Sequence, residues 1–223
     1  MSAKLFFQAL IKYLLGVVLV GALIFLPAGT LSFFNGWLFM AVLFLPILVA
    51  GVVMFFKNPE LLKKRLDSKE KQTEQNIVVK LSGLMFLVGF ILGGLGFRFG
   101  WYTLPKTVSV IAAVAFLFSY VLYAEVMREN AYLSRTVKVE ENQNVVDTGL
   151  YAVVRHPMYS ATLLMFLSMP LVLGSVYSFA VFLAYPLLIA FRIKGEEKLL
   201  EQELDGYKEY KQKVKYRLVP FIW

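Results

Sequence analysis

Two small polar clusters carry most of the chemistry-bearing residues of this chain. The first is Arg155-His156-Pro157-Met158-Tyr159, preceded by Gly149 and Tyr151; the second is Arg192, Glu196 and Glu197. No charged residue lies between Tyr159 and Arg192. A guanidinium can grip a carboxylate through two parallel hydrogen bonds, and two adjacent carboxylates at the base of a span cost energy unless they are solvated or paired. Pro157 suits the first turn of a helix. The free N–H groups there, with Arg155 and His156, suit an anionic or carboxylate-bearing ligand. Tyr151 and Tyr159 offer flat rings, and Gly149 permits a sharp turn. Each cluster alone also reads as ordinary interfacial structure: a snorkelling Arg with belt tyrosines, or a solvated helix end with an ion pair. Arg192 precedes Glu196 by four residues, the weaker order for a helix-stabilising pair. Taken together the clusters favour a site, because a hairpin of two comparable helices brings its base residues face to face. Asn130, Tyr132, Arg135 and Asp147 are weaker candidates in the loop before the hairpin.

The elements that must hold these residues are membrane helices. The 223 residues are 59% apolar, with a mean hydropathy of +0.66, beyond the roughly half-apolar composition of soluble domains. A spanning helix takes about 20 mostly apolar residues. Four runs meet this: about Leu5–Leu26, Gly36–Phe56, Ile77–Phe97 and Leu104–Met127. Two shorter runs follow, about Met158–Leu173 and Tyr177–Phe191, separated by Gly174-Ser175. They predict a tight hairpin, with Pro170 and Pro186 inside the runs as sources of kinks. The fold expected is therefore an all-α, polytopic transmembrane bundle of about six membrane segments, ending in a helical tail. Residues 1–119 supply the N-terminal spans, and 120–223 the site-bearing core, within one integrated membrane domain.

Charge sets the expected orientation. Lys57, Lys63, Lys64, Arg65, Lys69, Lys71 and Lys80 crowd one polar loop, and Arg128, Arg135, Lys138 and Arg155 another. The opposite loops carry little beyond Arg98 and Lys106. Both termini are thus expected on the cytoplasmic side, in a bacterial inner membrane if the source is bacterial. The +8 formal charge sits beside apolar spans, where lipid explains it better than nucleic acid does. With no cysteine and one histidine, disulfides, thiolate chemistry and a His-rich metal centre are excluded. In the tail, Leu199, Leu200, Leu204, Tyr207, Tyr210 and Val214 fall roughly on one face, which predicts packing over the cytoplasmic mouth. Gly206 is a candidate break. Pro220-Phe221-Ile222-Trp223 forms an aromatic end suited to the headgroup zone.

The pattern Gly149-x-Tyr151, Arg155-His156-Pro157-x-Tyr159 and Arg192-x3-Glu196-Glu197 resembles the isoprenylcysteine carboxyl methyltransferases. Tyr207, Tyr210, Val214 and Pro220 extend the likeness, which covers roughly Tyr120–Trp223. The first three spans match only in being apolar. Ser160-Ala161 stand where that family often has glycine. The resemblance implies an integral membrane enzyme that uses S-adenosyl-L-methionine in a cytoplasmic pocket closed by the tail. It implies that Gly149 and Tyr151 shape the loop beneath the adenine, and that Arg155, His156, Pro157 and Tyr159 line the cofactor site. Glu196 and Glu197 would meet the cofactor's amino-acid or ribose end. Arg192 and Glu196 would sit nearest the transferred methyl and act in catalysis. The acceptor implied is a lipophilic molecule entering from the bilayer, most simply a carboxylate, which is already ionised at neutral pH.

Three other readings remain open on the sequence. A phospholipid N-methyltransferase shares the donor but takes an amine headgroup. An NADPH-dependent membrane reductase of the sterol-reductase type has a related hairpin, but paired carboxylates repel a phosphate-rich cofactor. A non-catalytic membrane protein is the third; transport is disfavoured by the absence of mid-span charge and of internal repeats.

Overall fold

The computed structural model describes residues 3–66, 73–101, 103–130, 132–133, 139 and 142–223, with the backbone alone for Thr73 and Glu74. Lys69, Lys71, Arg135 and Lys138 of the sequence reading lie outside the described residues. Within them the chain is helical, without strands. Long apolar helices form α1 (Ala3–Ala28), α2 (Phe34–Lys57), α4 (Thr73–Arg98) and α5 (Lys106–Glu129), and a short basic helix, α3 (Pro59–Leu66), follows α2. After a single 3-10 turn at Gly149–Ala152 come α6 (Pro157–Val172), α7 (Val176–Phe182), α8 (Tyr185–Glu203) and α9 (Tyr207–Lys213).

Five helical runs are long and apolar enough to cross a membrane: α1, α2, α4, α5, and the α7–α8 run taken as one from Val176 to Glu203. This is an integral membrane protein. Its outer faces suit lipid, since Leu15, Val18, Ile111 and Leu187 are all well exposed, whereas large apolar patches on a soluble surface are rare. The buried core collects Ile24, Phe39, Phe116, Val172, Phe182 and Ile193. Aromatic edges interlock through it: Phe86 meets Phe166 at 4.8 Å and Phe182 at 5.5 Å, and Phe166 meets Tyr185 at 4.6 Å. Such edge-to-face contacts add to what area alone gives.

The hairpin departs from the sequence expectation in one respect. Its first arm, α6, has 16 residues, or about 24 Å of rise, and packs along α5. Its tip reaches the far end of the bundle: the Leu104 N–H donates to the Gly174 carbonyl at 2.9 Å, and Thr103 bridges Ser175. Gly174 turns the chain there with φ +72°, and a Cβ on it would come within 2.6 Å of the Asn35 amide. The Ser175 side chain then caps α7, accepting from the Ser178 N–H at 3.2 Å. The returning arm is broken at Leu183-Ala184, with Pro186 in the first turn of α8. The break falls just ahead of the proline because its missing N–H and ring bulk end the preceding turn. Pro170 lies in the last turn of α6 without ending it. From Tyr185 the helix runs without interruption to Glu203, so Arg192, Glu196 and Glu197 project from one rigid element.

The tail has the expected apolar face. Leu204, Tyr207, Tyr210 and Val214 form a small buried cluster with Leu200, Val139 and Val145. Gly206, at φ +80°, separates α8 from α9. The chain end folds back on itself: the Trp223 carbonyl accepts from the Arg217, Leu218 and Val219 N–H groups. Phe221 and Ile222 are exposed.

Candidate functional site

The two clusters meet at the base of the hairpin. The Tyr159 hydroxyl, at the start of α6, donates to Glu196 Oε2 at 2.5 Å and accepts from Arg192 Nε at 2.9 Å. One phenol therefore links the guanidinium and the carboxylate of α8. Arg192 and Tyr159 are buried, and Glu196 is partly exposed. A hydrogen bond to a charged group in such surroundings is stronger than a neutral one, so the three side chains are held in one geometry.

Glu197 faces elsewhere. Its Oε1 accepts from Arg155 Nε at 2.8 Å and lies 3.3 Å from His156 Nε2, and its Oε2 accepts from Arg217 Nε at 3.0 Å. Arg155 Nη1 donates to the carbonyls of Val214 at 2.6 Å and Lys215 at 2.8 Å. The backbone N–H groups of Arg155 and His156 donate to the Tyr216 and Arg217 carbonyls, each at 2.9 Å. Ser160 Oγ donates to the Leu218 carbonyl at 2.6 Å. The stretch 214–218 thus lies against the entry to α6 and takes donors that the sequence offered to an anionic ligand. The reason is local: after α9 the tail carbonyls are without helical partners, and they find donors in Arg155 and His156.

The 3-10 turn owes its glycine to a contact absent from the sequence reading. Gly149 has φ +54°, and a Cβ there would stand 1.5 Å from Glu129 Oε1. Glu129, at the end of α5, accepts from the Leu150 N–H at 2.9 Å through Oε2. Tyr151 is held from two sides: its hydroxyl accepts from Asn130 Nδ2 at 3.0 Å, and its carbonyl accepts from the Tyr210 hydroxyl at 2.7 Å. Burial pushes both the Tyr151 and Tyr210 phenols above their ordinary range, so both remain neutral and able to donate. Of the weaker candidates, Asn130 joins this frame, and its Oδ1 accepts from the Tyr132 N–H at 3.0 Å. Asp147 is drawn outward into an exposed pair with Lys213, at 2.7 Å. That hydrogen bond holds its carboxyl below the usual range.

A narrow cleft opens between these elements, lined by Asn130, Tyr151, Arg155, His156, Tyr159, Arg192, Glu196 and Tyr207 among others. Gly149, Pro157 and Glu197 do not line it. The cleft offers about 90 Å³ to water-sized molecules, well below the roughly 300–1,000 Å³ of small-molecule pockets. As it stands the cleft is too small for a nucleoside-sized ligand. The Tyr207 hydroxyl is buried at the cleft without a hydrogen-bond partner, and burial pushes its phenol upward as well. A buried donor left unpaired is uncommon.

Sequence reasoning missed Glu129, Arg217 and Gln75. Gln75 Nε2 approaches the Arg192 carbonyl at 3.4 Å, and a Cβ at Gly195 would come within 2.5 Å of it. Nothing in local spacing marks Gln75. Arg217 lies far along the tail from both clusters, and Glu129 stands at a helix end where no motif singles it out.

With this geometry in place, one comparison bears on it. Residues 107–205 match the phospholipid methyltransferase family. The matched stretch is a little under half of the chain and contains α5 through α8, hence Gly149, the Arg155–Tyr159 box, Arg192 and both carboxylates. That family belongs to the same membrane methyltransferase superfamily as the isoprenylcysteine carboxyl methyltransferases. The match supports a membrane methyltransferase as the general class. No curated protein matches the chain.

Proposed function

We propose that this protein transfers a methyl group from S-adenosyl-L-methionine to a lipophilic acceptor at the cytoplasmic face of its membrane. The observation that carries the reading is the Arg192–Tyr159–Glu196 constellation at the base of a membrane hairpin, inside the stretch matched by the family. The residues present suit the cofactor's chemistry. Glu196 offers a carboxylate to its cationic and hydroxyl groups, Tyr207 an unpaired hydroxyl, and Tyr151 a ring for the base. A phosphate-rich dinucleotide fits less well, because Arg155 is committed to Glu197 and the tail carbonyls. When bound, the cofactor supplies an electrophilic methyl on a sulfonium.

The protein's own task is alignment and exclusion of water. Arg192, held by Tyr159, orients an acceptor carboxylate; such an acceptor is ionised at neutral pH and needs no base. Glu196 holds the positive end of the donor. Carboxyl O-methylation follows most simply from the buried guanidinium. The family match favours a second reading, methylation of a phospholipid amine, in which Glu196 serves as the base. The deciding experiment follows labelled methyl from S-adenosyl-L-methionine into two acceptors, a prenylated cysteine analogue and phosphatidylethanolamine, both in detergent with the purified protein. Ester formation on the first supports the carboxylate reading, and label in the amine headgroup supports the second. Transfer to neither, with no label in lipids extracted from the host membrane, contradicts the methyltransferase proposal.

A further inference from the structure

An apolar groove between α1 and α2 stands apart from the candidate active site. It has about 540 Å³ of space, far roomier than the cleft. Phe6 and Gly16 mark its extent on α1, and Phe44 and Phe56 on α2. The ten-residue step from Phe6 to Gly16 corresponds to about 15 Å of helix. That is about half of a 30 Å hydrocarbon core, the depth of one leaflet. Edge contacts close the groove at two levels: Phe6 meets Phe55 at 5.6 Å, and Tyr13 meets Phe44 at 5.8 Å.

The groove is not purely apolar. Helix α3 forms one wall and brings Arg65 to it, beside Lys12 of α1. The Lys12 ammonium donates to the Leu66 carbonyl at 2.6 Å. Arg65 donates through Nη1 to the Tyr123 hydroxyl at 3.0 Å, and its guanidinium lies 5.5 Å from that ring. Its Nε and Nη2 are buried without hydrogen-bond partners. A buried guanidinium edge left unpaired is costly. Nε and one Nη present parallel donors suited to two oxygens of one phosphate or carboxylate. Arg65 belongs to the basic stretch beside the ends of the spans, where clustered Lys and Arg attract anionic lipid headgroups.

We propose that this groove binds an anionic phospholipid of the surrounding leaflet. One acyl chain lies along α1 and α2, and the phosphate is held by Arg65 Nε and Nη2 with Lys12 alongside. The site is independent of methyl transfer. Its occupant is a lipid rather than a second protein, because the opening is one acyl chain deep and the polar end is cationic.

The test is lipid retention by the full-length, detergent-purified protein in native mass spectrometry. Phosphatidylglycerol, phosphatidylcholine of the same chain length, and oleate are added in parallel. The wild type is expected to retain one phosphatidylglycerol at least tenfold more tightly than phosphatidylcholine, and Arg65→Gln to lower that retention about tenfold. Gly51→Leu covers the event that the Arg65 variant does not fold. A Cβ at Gly51 meets nothing within 4 Å, and leucine is the better helix former, so this variant folds and fills the groove. It is expected to lose the bound lipid. Equal retention of the two phospholipids, or undiminished retention in Gly51→Leu, overturns the proposal. Oleate bound more tightly than phosphatidylglycerol overturns the assignment to a phospholipid.

Discussion

Glu196 and Glu197 are adjacent in sequence and serve different neighbours. Glu196 lines the cleft and shares the Tyr159 hydroxyl with Arg192; Glu197 lies behind it among Arg155, His156 and Arg217. Substitutions should separate the two. Glu196→Gln and Arg192→Ala are each expected to lower methyl transfer about 100-fold or more, by loosening alignment, while the protein still inserts; Arg192 is buried, so its loss lowers the unfolding temperature as well. Full activity in both variants would sink the assignment of these residues. Glu197→Ala should act on stability first. Removing one member of a buried ionic cluster leaves the others uncompensated and costs about 3–5 kcal/mol, readable as a lowered unfolding temperature in detergent. Tyr207→Phe removes a hydroxyl that lacks a partner in the protein. It should leave stability unchanged and weaken binding of S-adenosylhomocysteine about tenfold, the loss of one hydrogen bond to ligand. Unchanged affinity would remove Tyr207 from the site.

At the scale of elements, the helices were legible and the contacts between loops were not. The four long spans and the paired short runs followed from apolar length alone, and Pro157, Gly174-Ser175 and Gly206 marked their ends. The convergence of Tyr159 with Arg192 and Glu196 followed from the symmetry of a hairpin about its tip. The partnership of Gly149 with Glu129 could not be read in this way, because the two are brought together by how the 3-10 turn sits on the end of α5. Nor could the tail's hold on Arg155 and His156, which uses backbone carbonyls that any sequence supplies. Both contacts can be tested. Gly149→Ala places a Cβ on the Glu129 carboxylate at positive φ, and should cost about 1–3 kcal/mol. Glu129→Ala combined with it should cost less than the sum of the two singles, since both disrupt one contact.

The whole molecule joins a lipid-facing bundle to a polar mouth closed by its own C-terminal segment. The spans have exposed apolar faces, and the mouth is held by the Glu197 cluster and by the 214–218 carbonyls. Deleting residues 214–223 should therefore leave an inserted bundle that no longer binds cofactor. The central claim is that the cleft takes S-adenosyl-L-methionine. Its most direct test is thermal unfolding of the purified full-length protein titrated with S-adenosylhomocysteine and, in parallel, NADPH. Saturation at about 100 times the dissociation constant should add about 2.7 kcal/mol of stability, with the homocysteine compound alone, and with a weaker response in Tyr207→Phe. Stabilisation by NADPH alone, or none by S-adenosylhomocysteine at millimolar concentration, would contradict the account.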